Sequence, residues 1–234
     1  MKLLSILAAS LFILASQGVA QLIDPTTGDS FVYKAQLVEV APIIDGFLND
    51  PSWLDAQAAA LNQDVINVQR WTVRDDFDAA FAAAWRNGTL YIALQLRDDQ
   101  LETDHPKVSR QDHIVLYLDP ENGGHKSDLY RYLIPVGRNA SVSDDSRLIV
   151  AWSGDGSSCE LSFNLGHLLV KNQAISFGIF YNDVDDGRLN NRVGWGPIDY
   201  SEQDDRLPEL VFSAKLKHTE NQKTTQWGSI KTLY

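Results

Sequence analysis

A single cysteine, Cys159, and a single methionine, Met1, stand in 234 residues. One thiol excludes an internal disulfide, so the fold must be held by its packed core, and a chain of this length has room for one sizeable core. Basic residues are also scarce: 20 Lys and Arg stand against 31 Asp and Glu, a formal charge of -11. Nucleic acid and anionic membrane surfaces both need clustered Lys and Arg, so neither is expected as a partner. The acidity suits bound divalent cations and equally suits ordinary solubilising charge. Catalytic signatures are missing too. No G-x-S-x-G elbow, phosphate-cradling glycine loop or His-x-x-x-His pattern occurs, and His105, His113, His125, His167 and His218 are scattered. The longest apolar run, residues 3–15, is shorter than the roughly 20 residues a bilayer span needs. It follows Met1-Lys2 and precedes Ser16-Gln17-Gly18-Val19-Ala20, the pattern of a secretory signal peptide cleaved after Ala20. The expected organisation is a signal over 1–20, one domain over 21–216 and a polar tail over 217–234, exported to the periplasm or the extracellular space.

What is present is alternation. Phe81-Ala82-Ala83-Ala84-Trp85 and Leu90-Tyr91-Ile92-Ala93-Leu94-Gln95-Leu96 carry apolar side chains with period two, joined by Arg86-Asn87-Gly88-Thr89. Asn-Gly accepts the positive φ of a two-residue hairpin turn, so these segments predict a hairpin. Further short runs predict strands over 32–40, 65–71, 114–118, 128–136, 147–152, 159–163, 174–182 and 210–216. Asp45-Gly46, 119–124 and 153–158 read as turns, and 183–188 as an acidic loop. Asp50-Pro51 opens a short helix within 47–60, with Asp50 as N-cap, Trp53, Ala56 and Ala60 on one face, and Trp53 a core anchor. Many short strands with little helix predict an all-β fold, an antiparallel β-sandwich of jelly-roll or immunoglobulin-like type with one or two short helices.

Ten acids gather at the predicted strand ends: Asp98, Asp99, Asp104, Asp112, Asp119, Glu121, Asp128, Asp183, Asp185 and Asp186. Calcium takes roughly six to eight hard oxygens from such loops, and Asp98, Asp99, Asp112, Asp119, Asp183 and Asp185 are the expected ligands. None follows a fixed-spacing loop such as the EF-hand, and charged turns without metal are the alternative. As proton donors these acids are poor candidates, because turns flanked by Gly and other acids keep them solvated and ionised. Cys159, within a strand, reads as a buried small hydrophobe. Trp152, Trp195, Tyr130, Tyr132 and Tyr181 are the aromatics that could stack on the face of a sugar ring, most of them expected in the core. Asn87-Gly88-Thr89 and Asn139-Ala140-Ser141 are glycosylation sequons in a eukaryotic host.

Seven short groups recur in a fixed order: Ile44-Asp45-Gly46 with Asp50 and Trp53; Ala84-Trp85 with Leu90-Tyr91-Ile92-Ala93 and Arg97-Asp98-Asp99; Gln111-Asp112-His113-Ile114 with Tyr117-Leu118-Asp119; Tyr130-Arg131-Tyr132; Glu160-Leu161-Ser162-Phe163; Phe177-Gly178 with Tyr181-Asn182-Asp183; and Gly194-Trp195-Gly196. The ordered set, over residues 38–214, resembles carbohydrate-binding module family 9 and related DOMON-like β-sandwiches. The resemblance implies two antiparallel sheets, secretion, structural calcium, and sugar binding in the service of carbohydrate catabolism. In the sugar-binding members two tryptophans sandwich the ring while an arginine and a glutamate hold hydroxyls. Trp195 matches one tryptophan and Arg131 the arginine, with Asn182 and Tyr181 as further sugar-binding candidates. The second tryptophan falls at Ser109 or Arg110 and the carboxylate at Val115. Haem-binding relatives use Met and His; with Met1 removed in the signal no methionine remains, which excludes that ligation.

The functional expectation is a secreted, non-catalytic carbohydrate-binding module whose partner is a poly- or oligosaccharide. Two alternatives stay open. One is a surface or assembly scaffold whose tail, with Trp227, Ile230 and Leu233 at three-residue spacing, docks a protein partner. The other is a hydrolase accessory, or a hydrolase acting on O-glycosyl bonds.

Overall fold

The computed structural model describes residues 31–54, 56–66, 69–70, 76–122, 129–139, 145–166, 171–196 and 207–214. The predicted signal segment and tail lie outside the described residues. The strands are β1 (Val32–Leu37), β2 (Ala59–Ala60), β3 (Gln63–Asp64), β4 (Gln69–Arg70), β5 (Phe77–Arg86), β6 (Thr89–Asp98), β7 (His113–Asp119), β8 (Tyr130–Pro135), β9 (Leu148–Trp152), β10 (Ser158–Asn164), β11 (Ala174–Asp185), β12 (Arg188–Trp195) and β13 (Glu209–Ser213). One short helix, α1 (Pro51–Leu54), and a 3-10 turn at Val108–Arg110 complete the described elements.

The predicted hairpin is β5 and β6, longer at both ends than the alternation alone suggests. Asn87 and Gly88 close it with φ of 47° and 79°, both positive as the turn demands. Around it one layer runs β13-β1-β5-β6-β10-β9. The other is built on β11, with β12 and then β3 and β4 on one side, and β7 and then β8 on the other. The first residues of β11 pair with β13, Ala174 opposite Val211, so the layers join as one mixed sheet bent over on itself. Their inward faces interlock through aromatic contacts: Phe81 to Phe177 at 5.4 Å, Phe77 to Tyr181 at 5.1 Å and Phe81 to Trp195 at 5.4 Å. An all-β sandwich is therefore the architecture.

Its pairing is not wholly antiparallel. β1 runs parallel to both β13 and β5, because the chain reaches β5 from β1 by a crossover over the outer face and not by a hairpin. That crossover seals the layer. Along β5 the inward residues are Phe77, Ala79, Phe81, Ala83 and Trp85, and the outward ones include Ala80, Ala82 and Ala84. The small outward side chains leave room for the Trp53 indole, which is 0% exposed and packs there with Val38, Leu48, Ala56 and Ala93.

One carboxylate holds the crossover down. Glu160 of β10, 0% exposed, accepts the Trp53 indole N–H at 2.7 Å and the backbone N–H of Asp45 and Gly46 at 3.0 Å each. Gly46 has φ of 90°, and a Cβ there would lie 2.4 Å from the Trp152 carbonyl carbon. Only glycine fits that close approach.

Several local expectations are corrected. Asp50 does not cap the helix with its side chain; its Oδ2 accepts the Ile43 N–H at 3.1 Å, while its carbonyl accepts the Trp53 N–H. Residues 65–71 are not one strand, because Val65 and Ile66 turn the chain between β3 and β4. The acidic stretch 183–188 is not a loop. β11 continues through Asp185, Asp186 and Gly187 form a two-residue turn with φ of 52° and 69°, and β12 follows.

Glu160→Ala is expected to cost about 3 kcal/mol or more of stability, because three donors, two of them buried, lose their acceptor. Glu160→Gln, which keeps the volume and one carbonyl oxygen, should lose roughly half as much. Urea denaturation followed by tryptophan fluorescence checks both.

Candidate functional site

The crossover covers the central strands of one layer; on the outward face of the other, Val115, Phe180, His113 and Asn182 are buried and Leu207 lies against Gly178, so among the described residues the accessible part of that face is formed by Tyr117, Arg131, Leu133 and Arg192. Its outward residues follow from the pairing register. Arg131 lies beside Tyr117 and Gly178; Leu133 beside Val115, Phe180 and Gly194; and His113 beside Asn182 and Arg192. The Phe180 ring rests against both glycines. A Cβ on Gly194 would come within 2.3 Å of Phe180 Cδ1, and one on Gly178 within 3.2 Å of Phe180 Cε2. Tyr117 stands on Phe180 in a T-shaped contact at 5.9 Å and remains half-exposed. A shallow groove results, lined by Val65, Val115, Tyr117, Phe180 and Arg192. Exposed Arg131 places its guanidinium carbon 5.9 Å from the centre of the Tyr117 ring.

A chain of hydrogen bonds fixes one corner of this face. The Arg192 Nε–H donates to Asn182 Oδ1 at 2.7 Å, and Asn182 Nδ2 donates to His113 Nε2 at 2.7 Å. His113 Nε2 is thus the acceptor, so Nδ1 carries the proton and donates to the Gln111 carbonyl at 2.7 Å. Burial holds the imidazole below its usual range, with the Arg192 and Arg131 charges acting in the same direction. Each member satisfies the next.

The four expected sugar-binding residues do not converge. Arg131 is exposed on the outward face, and Asn182 lies on the same face but is buried between His113 and Arg192. Trp195 and Tyr181 point the other way, into the sandwich. Trp195 pairs with Ile179 and packs against Phe31, Tyr33, Phe81 and Phe177. Tyr181, 1% exposed, packs on Phe77 and donates its hydroxyl to Asp98. Strand parity puts Val193 and Trp195 inward and Arg192 and Gly194 outward, so Trp195, partly buried, packs against the core and does not stand on the face that carries Arg131. The other aromatics considered divide similarly. Trp152 and Tyr132 are buried, whereas Tyr130 is exposed beneath the Arg147 guanidinium at 4.3 Å. Tyr117 and Arg192 went unselected, although a strict period-two reading of 113–119 and 188–195 would have placed both outward.

The acids do converge, at one end of the sandwich. Carboxylate oxygens of Asp98, Asp112 and Asp183 lie within 4.8 Å of one another, and so do those of Asp76, Asp183 and Asp185. Asp99 and Asp119 join neither group. Asp119 sits at the far end of β7, where its Oδ1 accepts the Glu121 N–H at 3.0 Å. Asp76 is the member not anticipated from the sequence. The groups are fixed by amides: Asp112 accepts the N–H of Glu102 at 2.6 Å and of Val184 at 2.7 Å, and Asn191 Nδ2 bridges Asp183 at 2.7 Å and Asp76 at 3.0 Å.

These carboxylates are not solvated turn groups. Asp112 is 0% and Asp183 2% exposed. Burial pushes Asp112 up to about 8 and Asp183 up to about 7, with neighbouring aspartates adding to the rise. Burial also raises Asp98 and Asp76. Asp185 Oδ1 is shut from solvent with no hydrogen-bond partner. Hard, anionic oxygens brought this close, with no nitrogen or sulfur donor among them, match the ligand set of calcium.

Comparison with known proteins follows the same lines. Residues 44–206 match the family described as carbohydrate family 9 binding domain-like. A family 9 carbohydrate-binding module from Caldicellulosiruptor kristjanssonii, solved in complex with cellotriose, superposes with a TM-score of 0.63 at 17% identity, covering 82% of this chain and 97% of that one. The module from the same organism in complex with glucose gives 0.63 and 17%, covering 81% and 100%. No curated protein matches the sequence. The likeness to the solved structures carries the fold, and the family match carries the membership: the chain belongs to the carbohydrate family 9 binding domain-like family.

Proposed function

We propose that this protein is a secreted, non-catalytic carbohydrate-binding module that takes saccharide on the open face of the β8-β7-β11-β12 layer. The observation that carries the reading is Tyr117, a half-buried ring under Arg131 that lines a shallow groove together with Arg192 on the outward face of this layer. The C–H face of a sugar stacks on a phenol ring, and guanidinium N–H groups satisfy hydroxyl oxygens around it. Family membership and the saccharides bound by the two solved relatives support the ligand class. The signal-like segment before residue 21 supports export. Among the described residues no helix is long and apolar enough to cross a membrane.

We further propose that calcium is bound at the sandwich end by Asp98, Asp112 and Asp183, with Asp76 and Asp185 beside them. The ion would neutralise charges that the fold otherwise buries together, and so tie the ends of β6 and β11 to the start of β7.

Binding is tested by titration on a glycan panel that includes cello-oligosaccharides. Tyr117→Ala should weaken the bound saccharide by about tenfold, close to 1.4 kcal/mol, with a lower melting temperature because the ring also packs on Phe180 but with the protein still folded at the temperature of the titration. Trp195→Ala should instead lower stability by about 3 kcal/mol or more through a core cavity. A wild-type protein that binds nothing on the panel would sink the reading.

Calcium is tested by melting the protein in chelator and in calcium across pH. Asp112 and Asp183 are raised above their unfolded values, so in the ion-free protein the folded state retains protons that the unfolded chain has lost. Their contribution is complete below about pH 4 and is lost as pH rises through about 7 and 8. The melting temperature in chelator should therefore fall with rising pH, by on the order of 5 °C. Calcium should restore it, more at pH 8.5 than at pH 6, because the ion needs the carboxylates deprotonated. Asp183→Asn should abolish the calcium gain. Identical melting in chelator and calcium at both pH values would count against the ion.

A further inference from the structure

Among the described residues the groove is bordered by cations in a chain that is acidic as a whole, and that difference specifies the ligand more narrowly than its family does. In a chain of net charge -11, the groove is flanked by two cations. Arg131 lies over Tyr117 on one side, and Arg192 lines the groove on the other. Among the described residues neither makes an ion pair; the bridge that occurs joins Arg147 to Asp145, away from this face. The acids nearest along the outward register, Asp119 and Glu209, lie one row beyond Tyr117. Both point to other partners: Asp119 Oδ1 accepts the Glu121 N–H, and Glu209 Oε1 accepts Asn122 Nδ2 at 3.4 Å. Where an acid could have balanced the arginines, at the centre of the face, stands Val115, 2% exposed.

The relay behind Arg192 sharpens the point. Its Nε–H is committed to Asn182, whose other amide atom is committed to His113. The terminal nitrogens are then left as an end-on fork of parallel donors, held in place from behind. A fork of that kind matches the two oxygens of a carboxylate or the oxygens of a sulfate, which accept both bonds at once with charge assistance. A neutral hydroxyl takes one bond and leaves the positive charge unanswered.

We infer that the saccharide bound on this face is anionic, a uronic-acid or sulfated oligosaccharide with one charged group received by Arg192 and another by Arg131, while a ring packs at Tyr117 between them. The inference rests on the carbohydrate-binding reading above and narrows it.

The experiment is isothermal titration of the full-length mature protein with trigalacturonate, with its carboxyl-reduced counterpart trigalactose, with cellotriose, and with a sulfated oligosaccharide. At low salt an anionic ligand should bind at least about tenfold tighter than its neutral counterpart. That preference should shrink as salt rises through the range where the Debye length falls below about 10 Å. Arg131→Gln should remove most of the preference, and because Arg131 is exposed its melting temperature should be unchanged; Arg192→Gln should remove the preference as well, with a lower melting temperature because the buried Asn182 Oδ1 loses its donor. Preference for trigalacturonate over the sulfated ligand, or the reverse, identifies which anion is taken. Binding of cellotriose or trigalactose as tightly as the anionic ligands, or an anionic preference that survives Arg131→Gln and Arg192→Gln, would overturn the inference and leave the carbohydrate-binding reading intact. Binding of none of the four, nor of any glycan on the wider panel, would overturn both.

Discussion

The buried carboxylate of Glu160 is the constraint on which the arrangement of faces depends. A carboxylate at 0% exposure is tolerable only when its oxygens are fully engaged, and here the donors come from a crossover far away in sequence: the Asp45 and Gly46 amides and the Trp53 indole. Those bonds draw the chain between β1 and β5 flat across the alanines of β5. They explain why Gly46 must adopt positive φ against the Trp152 backbone, and why β1 can join the sheet parallel to its neighbours. They also decide where function can be placed. With the middle of one layer roofed by Trp53, the accessible groove among the described residues lies on the β8-β7-β11-β12 side.

That side is mechanically continuous with the acidic end of the sandwich. Asp112 immediately precedes His113, and Asp183 immediately follows Asn182, so the cross-strand pair that orients Arg192 is bracketed by two of the converging acids. Asp112 also accepts the Val184 amide, which sits at the register shift of β11 just past Asp183. Charge repulsion among unneutralised carboxylates acts on this segment first. A cation there would stiffen the backbone from which the Asn182 and Arg192 side chains project, and the acids thus bear on the groove without lining it.

The parts legible in the sequence were those set by local rules. The β5-β6 hairpin follows from alternation plus Asn-Gly, and the sandwich follows from the number of short strands. The family groups are legible too, although as separate words: Ile44-Asp45-Gly46, Trp53 and Glu160 look unrelated until the fold shows that they are one hydrogen-bonded unit. What failed did so where composition masked period. Residues 183–188 are so acidic that they read as a loop, yet Asp183 and Asp185 are strand residues whose charge is accommodated by Asn191 and Asn190. Missing β12 then hid its parity, and with it the opposite directions of Trp195 and Arg192. Asp76 was out of reach by any local rule, since only the assembled sandwich brings it beside Asp183 and Asp185.

Net charge misled in the same way that composition did. A total of -11 describes the whole chain, while among the described residues the groove between Arg131 and Arg192 presents cations around an aromatic ring. A ligand at short range meets the local groups and not the total, because exposed charges more than a Debye length away, about 10 Å at ordinary ionic strength, are largely screened. The whole-chain sum therefore bears on solubility, and the residues within one screening length of Tyr117 bear on what is bound. The arginines are also placed where they cost least: Arg131 is in water over a phenol ring, and Arg192 is anchored through one nitrogen to a neutral amide, so neither requires a buried counter-charge. A face built this way holds its positive charge in readiness, which a face built from internal ion pairs cannot do.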